Sequence, residues 1–219
     1  MTSTGFAIRP VRPADSDSVC RVCLLTGDNG RDATDLYADP ALLGQIYAAP
    51  YAHFAAECGF VVEDDLGLGG YILGAVDTAE FETQLERSWW PALRQRYADP
   101  SPKPRQTWTA DDLRAWQIHH PYRTPERLTV AYPAHLHIDL EARFQGLGIG
   151  RRLMDLWLET VRALGSNGAH LGVPPANARA LRFYRTYGWR EVEANHRTVW
   201  LGFSLTDQSG GETPAQPGR

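Results

Sequence analysis

Three glycines at alternate positions, Gly146, Gly148 and Gly150, lie in the stretch RFQGLGIGRRLM, just where an extended run gives way to a helix. A glycine inside a helix costs about 1 kcal/mol against alanine, so something must offset that cost. A strand, a glycine turn and a helix in this order bring backbone N–H groups up to an anion at the positive end of the helix. The run just before the turn, AHLHIDLE (134–141), alternates. Leu136, Ile138 and Leu140 face one way; His135, His137, Asp139 and Glu141 face the other. Asp139 and His137 share a face, and either can accept a proton directly or through water. The competing reading is structural, with Asp139 a hydrogen-bond acceptor and His137 a core or surface histidine.

The spacing narrows the anion. A Rossmann turn needs G-x-G-x-x-G, whereas this chain has G-x-G-x-G; a Walker loop needs Gly-Lys-Ser/Thr, which does not follow. Gln145-x-x-Gly148-x-Gly150 instead resembles the pyrophosphate loop of the GNAT acetyltransferase superfamily, Arg/Gln-x-x-Gly-x-Gly/Ala. In that family the strand before the loop splays from its neighbour and its backbone pairs with the pantetheine arm of acetyl-CoA, positions held here by Leu140 and Ala142. The family's next helix carries Asn, Ala, Phe-Tyr and Gly-Phe, matched in register by Asn177, Ala180, Phe183, Tyr184, Gly188 and Trp189. The segments GYILGAVD, WWPALRQRY and HIDLEARF look like the acetyltransferase-like C-terminal domain of O-GlcNAc hydrolases. The animal versions of that domain lack the glycine loop. With the loop intact and no hydrolase region in its sequence, this chain resembles a free-standing bacterial relative.

The resemblance implies an N-acetyltransferase with acetyl-CoA as co-substrate, held by Gln145, Gly146, Leu147, Gly148, Ile149 and Gly150, with Arg151 or Arg152 adding charge. An unpaired N–H at Leu140 would face the acetyl oxygen, an oxyanion role worth about 3 kcal/mol. Tyr184 occupies the place of the family's thiolate-protonating acid, and Asp139 or His137 would serve the amine. Asn177 follows Pro174-Pro175, where it equally well caps the helix. Asn177 and Tyr184 are two turns apart and share a helix face. Neither a metal nor a covalent enzyme intermediate is implied, since none of the cysteines lies in the motif region. A binding module without turnover is the rival reading. The acceptor is an amine of a small molecule or a protein lysine: a closed Trp-walled pocket would favour the first, a long acidic groove the second.

The elements that must position these residues read as α/β. Expected strands are 6–13, 60–64, 70–77, 134–141, 169–173, WREVE and RTVWLGFSL, giving a mixed, mostly antiparallel sheet of about seven strands with helices on both faces. Pro13-Ala14-Asp15 opens a first helix bearing Val19, Val22 and Cys23. Residues 40–57 read as two helical pieces broken at Pro50. Leu153, Trp157, Val161 and Leu164 make one face of the helix after the glycines. The span 78–130 holds Trp89, Trp90, Trp108, Trp116 and many prolines. It reads as a helical insert, near 80–97 and 109–118, serving as lid, substrate wall or extra core; His119 and His120 within it read as solvated. One domain over 1–205 and a disordered tail over 206–219 are expected.

Composition agrees with a soluble globular chain of 219 residues, 43% hydrophobic and 22% charged. A net charge of −4, with no basic block, argues against nucleic acid. No apolar run reaches about 18 residues and no signal-peptide core opens the chain, so neither membrane nor export is expected. Cys20, Cys23 and Cys58 have no framework spacing, which fits a reducing cytoplasm; the C-x-x-C pair reads chiefly as buried small hydrophobes. Monomer and homodimer remain open.

Overall fold

β-branched residues and glycines fill the middle of the chain's first half, and they build the centre of a sheet. The computed structural model describes residues 5–206. Its seven strands are β1 (Ala7–Pro10), β2 (Phe60–Asp64), β3 (Gly67–Ala75), β4 (Ala134–Leu140), β5 (Gly168–Val173), β6 (Arg190–Ala194) and β7 (Val199–Ser204), in the order β1-β2-β3-β4-β5-β7-β6. Every pairing is antiparallel except β4 with β5. The expected mixed, mostly antiparallel sheet is therefore the one observed.

Among the described residues, nine α-helices surround it: α1 (Ser16–Thr26), α2 (Leu42–Tyr47), α3 (Ala49–Phe54), α4 (Thr78–Ser88), α5 (Trp90–Arg96), α6 (Ala110–His119), α7 (Glu126–Ala131), α8 (Ile149–Ala163) and α9 (Ala178–Tyr187). The side-chain alternation of β3 shows how they cover both faces. Gly74 lies under the Trp157 ring of α8, where a Cβ would meet the indole at 2.7 Å and the backbone oxygen of His135 at 2.2 Å. Tyr71, on the opposite face, reaches Asp139 of β4 on the side covered by α1. Trp157, Leu153 and Met154 are fully buried, so α8 presents its apolar stripe to the sheet.

Several boundaries differ from the sequence reading. Strand β1 ends at Pro10, short of the expected 6–13, and Pro13–Asp15 form a 3-10 turn ahead of α1. Leu164, expected on the apolar face of α8, lies just past its end and is exposed. The break in 40–57 falls at Ala48 rather than Pro50, because proline is tolerated in a first helical turn, where its missing N–H has no partner to lose. The insert holds four helices instead of two: Trp89 interrupts the first, with Pro91 in the opening turn of α5, and α7 follows Pro125. Strand β3 begins at Gly67, absorbing most of the expected hairpin turn. The expected tail lies outside the described residues from 207 onward.

Candidate active site

Strand β4 carries the chemistry because it loses its neighbour. Its ladder with β5 consists of Ala134↔Ala169 and His135↔His170, after which the two strands part. On the other side β4 stays paired with β3 to Leu140↔Gly70, and Glu141 N–H donates to Gly69 at 2.8 Å. Antiparallel hydrogen bonding alternates between residues, so the peptide groups of Ile138 and Leu140 point into the gap. Gln145 Nε2 donates to the Leu140 carbonyl at 2.6 Å, leaving the Leu140 N–H open. Ala142 does not share this geometry. It sits past the strand in a single 3-10 turn, Ala142–Phe144, that swings Phe144 into the core against Phe6. Of the two expected backbone positions, only Leu140 lies on the open strand.

The glycine loop leads directly from that gap. Gly146 and Gly148 each have φ +75°, a left-handed backbone that favours glycine. Gly148 caps α8 without any side-chain acceptor. Among the described residues, the N–H groups of Gly146, Leu147, Gly148, Ile149, Gly150 and Arg151 find no hydrogen-bond acceptor. Six such groups at the positive end of a 15-residue helix form an anion cradle. Gly150 has an ordinary backbone, and a Cβ there would merely touch Leu140 and Phe183 at 3.6 Å. Gln145 fixes the loop from both sides, since its Oε1 accepts from Arg179 of α9 at 2.7 Å. Beside it, Arg151, Arg179, Arg182, Phe183, Thr186 and Tyr187 line a cleft of about 290 Å³. The cradle and the arginine cleft suit the phosphates of acetyl-CoA. Arg179 and Arg182 escaped the sequence reading, although their i,i+3 spacing on α9 was a visible sign.

On the α1 side of the sheet lies a cavity of about 820 Å³. His135, His137 and Asp139 line it, as the strand alternation predicts, together with Asn177. Asp139 accepts the Tyr71 hydroxyl at 2.6 Å. Burial raises its carboxyl above the usual range, and the Tyr71 bond partly restores it. His137 is lowered to about 4 by burial. A chain of hydrogen bonds also fixes its tautomer. Thr78 Oγ1 gives its proton to the Pro133 carbonyl at 2.6 Å, so it can only accept from His135, whose Nδ1–H donates to Thr78 Oγ1 at 2.8 Å. Nε2 of His135 then accepts from the Tyr51 hydroxyl at 2.8 Å, and the Tyr51 oxygen accepts from His137 Nε2–H at 3.1 Å. The lone pair of His137 is thereby left on Nδ1, with no protein partner among the described residues.

Asn177 does cap α9, accepting from Ala180 N–H at 3.1 Å, and it lines the cavity as well. Tyr184 is buried between Phe183 and Trp189, and it lines neither the cavity nor the arginine cleft. Its hydroxyl has no partner among the described residues, and burial plus the nearby Asp139 push its pKa up, keeping the phenol protonated. The insert supplies the far wall through Glu82, Leu85, Trp90, Arg114, Gln117 and Tyr122. His119 and His120 serve the insert itself, bonded to the Tyr97 carbonyl and to Asp99.

Cys23, read from the sequence as a buried small hydrophobe, also lines this cavity although it lies far from the motif in sequence. Burial, and next the Asp139 charge, raise its thiol, so it remains protonated and a poor nucleophile. The three cysteines are otherwise as expected, buried and unpaired.

The model of the acetyltransferase (GNAT) family matches residues 34–189. This chain belongs to the GNAT family. It is similar to protein O-GlcNAcase of Rattus norvegicus and of Mus musculus, at 27% identity over 191 residues, which is 87% of this chain and 21% of those proteins. The chain therefore spans about a fifth of the length of these curated relatives. The crystal structure of SsHAT is similar at 37% identity and TM-score 0.84, covering 93% of this chain and 100% of that one. At 13% identity, yncA of Salmonella typhimurium, solved with its cofactor acetyl-CoA, shares the GNAT fold alone, with TM-score 0.52 over 94% of this chain and 97% of that one.

Proposed function

We propose that this GNAT chain moves an acetyl group from acetyl-CoA to a primary amine of a small acceptor, by direct attack in a ternary complex. The observation that carries it is the run of six unpartnered N–H groups at the start of α8, adjoining the place where β4 leaves β5. Acetyl-CoA supplies the acyl group as a thioester. The cradle and the arginines of α8 and α9 hold its phosphates, and the Leu140 N–H polarises the carbonyl. Asp139 attracts the acceptor's ammonium group and takes its proton, while Nδ1 of His137 orients the amine. A lysine-like amine has a pKa of about 10.4, which removal from water lowers by disfavouring the charged form. The Tyr184 hydroxyl protonates the departing thiolate as the carbon–sulfur bond breaks, and the second proton that the amine loses on becoming an amide restores the phenol. The aromatic walls and the volume fall in the range of small-molecule sites, which supports a small acceptor over a protein lysine.

Calorimetric titration of acetyl-CoA tests the foundation of this reading. Gly148→Glu places a carboxylate beside the cradle, where a Cβ meets no neighbour within 4 Å, so the loss should come mainly from repulsion. Wild type should bind, and the variant should lose at least about 100-fold in affinity, with Gly148→Ala as control for the left-handed backbone. Equal affinities for wild type and Gly148→Glu would remove the cradle from the proposal.

A further inference from the structure

Arg114 is a cation that the proposed reaction does not use. It projects from α6 into the cavity wall, half-buried, and its hydrogen-bond partners are all neutral. Nε–H donates to the Tyr37 hydroxyl at 3.1 Å, and Nη1 donates to the Tyr47 hydroxyl and to Gln117 Oε1, both at 3.1 Å. Nη2 has no partner among the described residues and is not sealed from solvent. Three neutral side chains thus fix the guanidinium and leave one edge facing open space.

The carboxylates around it are committed elsewhere. Asp39 takes Arg96 and the Tyr97 hydroxyl. Asp111 takes the N–H groups of Ala38 and Asp39, and Asp112 takes Lys103. Within the cavity, Glu82 accepts twice from Thr124, and Asp139 accepts from Tyr71. A guanidinium drawn out of water without a counter-ion is costly, and a site that keeps one at its wall is set to receive an anion. The cofactor's phosphates do not need it, because Arg151, Arg179 and Arg182 line the other cleft and not this cavity.

We infer that the acceptor is an amino acid, whose carboxylate docks on the Nη2 edge of Arg114 while its amine faces Asp139 and His137. This rests on the proposed acetyl transfer and adds the acceptor's class. Tyr47 links the two ends: its hydroxyl meets Arg114 and Gln117, and its ring packs edge-on against His137 with centroids 5.7 Å apart. One small molecule can therefore meet both. Arg197 also lines this cavity, but it is exposed and its Nε–H donates to His196, so the half-buried positive charge held at the wall is that of Arg114. One such charge balances a monoanion and leaves a phosphate dianion half compensated, so a carboxylate fits better.

The test needs no turnover. Thermal shifts are recorded for wild type with CoA present, using N-acetylated amino acids as product probes beside their uncharged amides. At least one acid should raise the melting temperature at millimolar concentration, with its amide at least tenfold weaker. Arg114→Gln should erase the preference and Arg114→Lys should keep part of it; the wild-type acid–amide comparison stands even if a variant misfolds. Equal binding of acids and amides, no binding by any acid, or an unchanged preference in folded Arg114→Gln would overturn the inference. Tighter binding by N-acetylated aminoalkyl phosphates would overturn it as well. If acids bind through Arg114 yet no thiol is released with any amine, the transferase reading fails and the anion site survives. If neutral amines alone are acetylated, the transferase reading survives and this inference fails.

Discussion

At the scale of the residue, Asp139 combines a cost to the fold with a use in chemistry. Its folded pKa is raised, so its favourable contribution exists below the ordinary value of 3.8 and is lost as pH rises through the folded value. At pH 7 the ionised carboxylate therefore burdens the fold. Asp139→Asn keeps an acceptor for the Tyr71 hydroxyl and removes the charge. The variant should be at least as stable as wild type at pH 7 by thermal unfolding, while turnover falls about 100-fold or more, the range of acid–base groups. Lower stability with unchanged turnover per folded molecule would make Asp139 a structural acceptor. Strand alternation made Asp139 and His137 legible in the sequence. Their partners were not, because Tyr51, Tyr71, Cys23 and Arg114 arrive from α3, β3, α1 and α6, and no local pattern marks which helix face meets β4.

At the scale of the element, β4 and β5 bring three histidines to one wall of the cavity. His135, His137 and His170 all have lowered pKa values, with burial the leading cause in each. A histidine held neutral in the fold adds stability above the unfolded value of 6.5, and that stability is lost as pH falls toward the folded value. For His137 the window runs from 6.5 down to about 4. The melting temperature should therefore drop steadily between pH 6.5 and 4, with proton uptake on unfolding measurable by calorimetry in buffers of different ionisation enthalpy. A flat profile across this window would show that these histidines titrate normally. The strands and the long helices α8 and α9 were readable, because their periodicity coincides with burial. The insert was harder: Trp89–Trp90–Pro91 reads equally as helix or break, and α7 is too short to set a period.

At the scale of the whole molecule, the sheet divides the labour. The loop and arginine cleft at the start of α8 and along α9 offer positive potential for phosphates, whereas the α1 side offers an aromatic cavity with Asp139 and His137 inside it. The divergence of β4 from β5 is what joins them. The glycine motif made the first half legible, and Asn177, His137 and Asp139 marked one wall of the second. The rest of the cavity was not legible, since its far wall is the insert and its shape depends on contacts such as Asp111 with residues 38–39 and Trp89 with Gln45.

The most direct measurement of the proposed chemistry is thiol release from acetyl-CoA across a panel of amines, with and without carboxylates, for wild type and Tyr184→Phe. The substitution keeps the ring between Phe183 and Trp189 and removes only the unpartnered hydroxyl. A proton given to sulfur as its bond to carbon breaks acts mainly in the transition state, so it belongs in the rate and not in the affinity. The expected result is turnover by wild type, a loss of roughly tenfold or more in Tyr184→Phe, and acetyl-CoA affinity within a few-fold for both. Equal rates under chemistry-limited conditions would contradict the role of Tyr184. Acetyl-CoA binding with no thiol released from any amine would contradict the transferase itself and leave a binding module.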